Sequence, residues 1–146
     1  MSNLKSELTL VTSFQDADPM GIIYHGNYFR YFEEARRLLM EQIGYSYLEM
    51  KESGYMYPIV ETKVRYIQPI RFQQAIRVTA EVVEWQNRIR VDYVIFDAET
   101  GRRLTKGYTM QVAVRLDTGE LCLVMPDLFM EKYKACSLQR RVECEG

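Results

Sequence analysis

The segment Asp16-Ala17-Asp18-Pro19-Met20-Gly21-Ile22-Ile23-Tyr24-His25-Gly26-Asn27-Tyr28-Phe29 gathers two carboxylates, two glycines, an asparagine and the only histidine of the chain. It stands just ahead of a helical pattern. A helix N-terminus carries free N–H groups and about half a positive charge. An anion, or an oxyanion that develops during a reaction, is stabilised there. A carboxylate such as Asp18, facing those donors across the width of one carbonyl, would make an acyl-transfer site. A plainer reading stands beside it, in which Asp16 and Asp18-Pro19 only shape an Asx-turn. His25 has the same two readings, because a lone loop histidine is often a hydrogen-bonded structural residue. No GxSxG is present, and no cysteine carries the flanking signature of a nucleophile. One histidine without clustered ligands offers no metal site. Gly21 and Gly26 allow positive φ or a close backbone approach.

The elements around this loop follow from periodicity. Glu7 to Phe14 alternates as a short strand. Asn27 can cap a helix whose apolar stripe is Tyr28, Tyr31, Phe32, Ala35, Leu39 and Ile43, with Gly44 as its stop. Its charged side offers Arg30–Glu34 and Glu33–Arg37 as i,i+4 pairs. A connector from Tyr45 to Pro58 has room for a short helix at Leu48 to Ser53. Strands are expected at Ile59 to Ile67, Ile76 to Glu84, Ile89 to Phe96 and Tyr108 to Leu116, the last with Tyr108, Met110, Val112 and Val114 on one side. A short apolar run, Leu121 to Val124, precedes a helix from Pro126 to about Cys136 and a polar, frayed tail. The order is strand, long helix, antiparallel meander, an α+β chain. A sheet of five or six strands is about 20–25 Å wide, whereas a helix is only about 10–12 Å across. The sheet must curl around the helix or find cover from a second subunit, and a homo-oligomer is expected.

Bulk properties narrow the classes. The 146 residues suit one domain, and a net charge of -1 argues against a broad nucleic-acid-binding face. Cys122, Cys136 and Cys144 form no CxxC and leave an odd count, so a reducing cytoplasm is the simpler setting. No signal-peptide core and no apolar run of about 20 residues suggests a membrane span.

The run from Phe14 to Tyr28 resembles the N-terminal signature of the 4-hydroxybenzoyl-CoA thioesterase family of hotdog-fold proteins, nearest the YbgC-like acyl-CoA thioesterase branch. Fainter echoes are Tyr66-x-x-Pro69, Glu84-Trp85 and Gly107-Tyr108-Thr109, so the likeness spans most of residues 7–125. It implies a single hotdog domain over residues 1–136 with a polar tail at 137–146. It also implies hydrolysis of an acyl-CoA or acyl-carrier-protein thioester without a cofactor, in a homodimer or homotetramer. Asp18 matches the catalytic aspartate, and the backbone N–H near His25 matches the donor that polarises the thioester carbonyl. Asp16 matches a loop-shaping position. Tyr24, Gly26 and Tyr28 are the candidate substrate-binding residues of this region, and by residue type Tyr24, Tyr28, Tyr31, Tyr55 and Met20 can line either an aryl or a short-to-medium aliphatic acyl pocket. Arg88 and Arg90 are first choices for the CoA phosphates, with solvent-facing strand positions as the alternative. Gln86 and Asn87 dilute the charge of that hairpin. Arg102, Arg103 and Lys106 offer a basic surface to a carrier protein. A hotdog hydratase would need a D-x-x-x-x-H spacing, and Asp18 and His25 are seven apart. A non-catalytic acyl-CoA-binding module is the other alternative.

Overall fold

The computed structural model describes the backbone of residues 3–145 and the side chains of residues 3–137. Strand β1 (Lys5–Val11) leads through the loop into α1 (Tyr28–Gln42). A short helix α2 (Tyr47–Glu52) and strand β2 (Tyr55–Met56) follow. The meander is β3 (Ile59–Tyr66), β4 (Ala75–Glu84), β5 (Ile89–Asp97) and β6 (Arg103–Gln111). Strand β7 (Val114–Arg115) and helix α3 (Asp127–Glu145) complete the chain. The main sheet is antiparallel with order β1-β4-β5-β6-β3, while β2 and β7 pair apart from it. Helix α1 packs on β1 and β4. This is the α+β hotdog arrangement, one long helix laid against a five-stranded antiparallel sheet.

Helix α1 buries Tyr28, Tyr31, Phe32, Ala35, Arg36, Leu39 and Met40. The i, i+3, i+4 stripe is therefore broader than its apolar letters, since it takes in Arg36. The hydroxyls of Tyr47 and Tyr93 face that guanidinium, while its Nε has no partner among the described residues. The helix ends in a Schellman turn. Tyr45 N–H donates to Met40 O at 2.9 Å and Gly44 N–H to Glu41 O at 3.0 Å. Gly44 takes φ 70°, which a side chain would resist. Two expected details differ. The Asn27 side chain makes no cap bond; its amide donates instead to Asp16 O at 2.9 Å. Arg30 does not pair with Glu34 but with Asp16, and Arg37 joins Glu34 and Glu41.

The sixth strand corrects the expected register. It starts at Arg103, five residues before Tyr108, and its core side carries Thr105, Gly107, Thr109 and Gln111 rather than Tyr108 and Val112. A one-residue shift moves every side chain to the other face. Two of the polar side-chain atoms on this face are bonded, while Thr105 Oγ1 and Gln111 Oε1 have no partner among the described residues. Thr109 shares a 2.8 Å bond with the Tyr93 hydroxyl, and the Gln111 amide donates to Tyr57 O at 2.8 Å. Gly107 fits this face because Phe32 of α1 lies over it, stacked on Tyr93 at 4.4 Å between ring centroids. Helix α3 also runs beyond the expected Cys136, through much of the segment read as a frayed tail. The side chains from residue 138 on, Cys144 among them, lie outside the described residues.

Strand β3 is an edge with only β6 beside it, and most of its residues are exposed. Ile59, Val60, Tyr66 and Ile67 present apolar surface there. No helix among the described residues is long and apolar enough to cross a membrane.

A methyl group at position 107 would stand 2.5 Å from Lys63 O and 3.1 Å from the Phe32 ring. Gly107→Ala should therefore cost about 1–3 kcal/mol of stability, measured by urea unfolding.

Candidate active site

The loop ahead of α1 is a folded ribbon. Ala17 bridges Ile23, Asp18 N–H donates to Ile22 O at 2.8 Å, and Tyr24 N–H donates to Asp16 O at 2.9 Å. Residues 16–18 thus run antiparallel to residues 22–24. Gly21, at φ 79°, makes the reversal. The far side of the ribbon is stitched to the segment after β3, through Ile23 N–H to Ile70 O at 2.6 Å and a bridge between Ile22 and Arg71. The hydroxyl of the buried Tyr28 accepts from the Ile70 amide at 3.3 Å. A 3-10 turn, His25–Asn27, then carries the chain into α1.

The two carboxylates of this ribbon have different surroundings. Asp16 is 5% exposed. Its Oδ2 accepts from the Arg30 guanidinium and from the Tyr31 hydroxyl, the latter at 3.1 Å. Both donors belong to α1, so Asp16 clamps the ribbon to the helix. The Tyr31 phenol is pushed up to about 12, first by burial and then by the Asp16 charge, and it stays a proton donor at neutral pH. Asp18 is half-buried. Its Oδ1 accepts from the amides of Met20 at 2.8 Å and Ile22 at 3.4 Å. This is the Asx-turn of the plainer reading. Its Oδ2 has no hydrogen-bond partner among the described residues.

Two backbone donors are left over at the helix entry. Tyr24 N–H and Asn27 N–H are spent within the ribbon and the 3-10 turn. The amides of His25 and Gly26, between them, have no acceptor among the described residues. The His25 imidazole is exposed, with its ring 4.3 Å from that of Tyr24. Its carbonyl accepts from the Tyr66 hydroxyl at 3.4 Å. Tyr24 is itself 52% exposed. A Cβ at Gly26 would come 2.7 Å from the Tyr24 ring, so glycine lets that ring lie flat against the turn.

Within one chain these groups lie open. Neither described cavity includes Asp18 or His25. Around them stand the exposed side chains of Phe14, Met20, Tyr24 and Phe72, with Phe14 edge-on to Phe72 at 5.5 Å. Arg88 and Arg90, the first choices for the CoA phosphates, both lie beside Glu84, which stands opposite Arg90 in the β4–β5 ladder. Arg88 sits by the β4–β5 hairpin, where its Nε donates to both Glu84 oxygens at 3.3 Å. Arg90 lies on the outer face of β5, bound to Asp92 at 3.0 Å and 4.1 Å from the Tyr108 ring centroid. Sequence reasoning assigned loop shaping to Asp16 and overlooked its clamp. The signal was the spacing from Asp16 to Arg30 and Tyr31, which becomes a contact only once the ribbon has folded back.

Comparison with known proteins adds to this geometry. The model of the thioesterase-like superfamily matches residues 12–133. The crystal structure of a DHNA-CoA thioesterase from Staphylococcus aureus superposes with a TM-score of 0.80, at 29% identity over 97% of this chain and 95% of that one. The 1,4-dihydroxy-2-naphthoyl-CoA hydrolase of Thermosynechococcus vestitus is 27% identical over 105 residues, 70% of this chain and 71% of that one. YneP of Bacillus subtilis, provisionally assigned as an acyl-CoA thioesterase, is 30% identical over 80 residues. That match spans 55% of this chain and 55% of YneP.

Asp16→Ala should lower stability by about 1.5–3 kcal/mol, because it leaves a buried hydroxyl and a guanidinium without their acceptor. Arg30→Ala should cost less, about 1–2 kcal/mol, because the Tyr31 hydroxyl still bonds the buried carboxylate. Thermal unfolding of both variants checks the order.

Proposed function

The chain belongs to the thioesterase-like superfamily, and from that premise we propose that it hydrolyses acyl-CoA thioesters, with Asp18 as the reacting carboxylate and the amides of His25 and Gly26 as the oxyanion donors. The observation that carries the reading is the pair of unspent amides at the entry to α1, on the same ribbon as a carboxylate with one unbonded oxygen. Donors fixed by a folded turn need no reorganisation when negative charge grows on the carbonyl oxygen. The helix dipole acts in the same direction.

The remaining chemistry is modest. A thiolate leaves readily, its reference thiol pKa lying near 8.5, so a strong general acid is dispensable. Either of two routes completes hydrolysis. Asp18 attacks the thioester carbon, the C–S bond breaks, and water then opens the acyl-aspartyl anhydride. Alternatively Asp18 removes a proton from water, which attacks directly. His25 serves through its backbone, since its ring is turned to solvent.

A second copy of the chain completes the site in this reading. The open surroundings of Asp18, the apolar residues about the loop and the exposed β3 edge all call for cover. We place the acyl group between Tyr24, Gly26 and the partner, with Tyr28 as a buried support for the turn rather than a free wall. The finer assignment is to the 4-hydroxybenzoyl-CoA thioesterase family and its YbgC-like branch, supported by the run from Phe14 to Tyr28. An aromatic hydroxyacyl group is the first acyl class to test, because two of the similar proteins are named for a dihydroxynaphthoyl thioester.

Asn keeps the acceptor that Met20 and Ile22 use, so Asp18→Asn should fold with unchanged stability. Its kcat on a panel of aromatic and aliphatic acyl-CoA thioesters should fall by about a hundredfold or more, read from released thiol. Near-normal turnover would remove Asp18 from the chemistry. Hydration of enoyl-CoA without thiol release would favour a hydratase, and binding without turnover a non-catalytic acyl-CoA-binding module.

A further inference from the structure

The outer face of the sheet, away from α1, carries a cationic hollow that the reaction does not use. Lys63 and Arg65 of β3 and Lys106 and Tyr108 of β6 line it together with Arg90 and Asp92 of β5, around a cavity of about 400 Å³. The pairing register brings the cations together. Arg65 stands directly opposite Lys106, and Lys63 opposite Tyr108. Directly opposite residues of an antiparallel pair have Cα atoms only about 4.5–5.5 Å apart. Like charges in that position destabilise a sheet.

The neighbouring acids do not relieve this repulsion. Asp92 is taken by Arg90, and Glu81, at the other end of the hollow, binds Asn3 at 2.9 Å and Lys5 at 3.8 Å. Glu61 lies further along β3, opposite Met110. None of Lys63, Arg65 and Lys106 has an ion pair among the described residues. Three exposed cations on adjacent strands, with the Tyr108 hydroxyl beside them, are therefore held at mutual cost and converge on one concave spot.

We propose that this hollow binds an oligophosphate, the linked phosphoryl groups of a nucleotide. A diphosphate can touch Arg65, Lys106 and Lys63 at once, through charge-assisted bonds that are bidentate for the arginine. The compact convergence of the cations favours such a small anion over the broad surface of an acidic carrier protein. Two sources share the chemistry: the nucleotide end of the acyl-CoA thioester, which rests on the function proposed above, and a free nucleotide, which does not.

Calorimetric titration of the intact protein with ADP and with inorganic pyrophosphate tests the site independently of any hydrolysis. Both should bind, more weakly as NaCl rises. The K63Q/R65Q variant should bind each about tenfold more weakly or worse, and Lys106→Gln, acting from the neighbouring strand, should weaken them in the same sense. Size-exclusion chromatography checks that assembly is unchanged. Turnover by K63Q/R65Q then separates the sources. A raised KM for acyl-CoA with unchanged kcat, and no change for the matching acyl-pantetheine, assigns the hollow to the CoA nucleotide. Unchanged kinetics on both thioesters, with ADP binding still impaired, assigns it to a free nucleotide. No binding of either probe by the wild type, or equal affinity in wild type and variants, overturns the proposal.

Discussion

The Asp16 carboxylate, buried against Arg30 and Tyr31, is the contact on which the site depends. A loop that reverses on Gly21 has few apolar contacts of its own and would otherwise sample many conformations. Two charge-assisted or shared bonds from α1 fix its base. The backbone carbonyl of the same residue takes the Tyr24 amide and the Asn27 side chain. One aspartate thereby ties ribbon to helix and takes the Tyr24 amide, while the Asn27 amide goes to Tyr24 O. The amides of His25 and Gly26 between them have no acceptor among the described residues.

The sheet supplies the rigid floor for this arrangement. Phe32 rests on Gly107 and stacks on Tyr93, so α1 is seated closely against β5 and β6. A row of threonines and a glutamine lies beneath it, where an apolar row would be usual. Thr109 Oγ1 and Gln111 Nε2 are bonded, whereas Thr105 Oγ1 and Gln111 Oε1 have no partner among the described residues. The open side of the molecule, the β3 edge and the aromatic residues about the loop, is where one chain leaves its work unfinished. The proposed dimer answers both needs, by pairing an edge and by closing a site.

Much of this was legible in the sequence. The α1 stripe, the stop at Gly44 and the strands β3, β4 and β5 follow from periodicity and turn residues, since local rules govern them. The misreadings have a common physical source. Arg36 carries a charge, yet its stem and guanidinium are buried against phenols of distant segments. Strand β6 turns Thr105, Thr109 and Gln111 into the interior, because Gly107 is needed opposite Phe32 and the Thr109 hydroxyl and Gln111 amide have partners across the core. Asn27 has the right type for a cap but spends its amide on Asp16. Each depends on a residue far away in the chain, which no local pattern encodes. At the site, Asp18 and the helix entry were marked by residue type, whereas the clamp at Asp16 emerged only with the fold.

The central claim is that a thioester carbonyl sits between the His25–Gly26 amides and the Asp18 carboxylate. A crystal structure of the protein with a non-hydrolysable acyl-CoA analogue tests it most directly. The account predicts the carbonyl oxygen about 3 Å from one or both amide nitrogens, with an Asp18 oxygen facing the carbonyl carbon and a second chain closing the pocket. An analogue bound elsewhere, with Asp18 still engaged only by Met20 and Ile22, would contradict it.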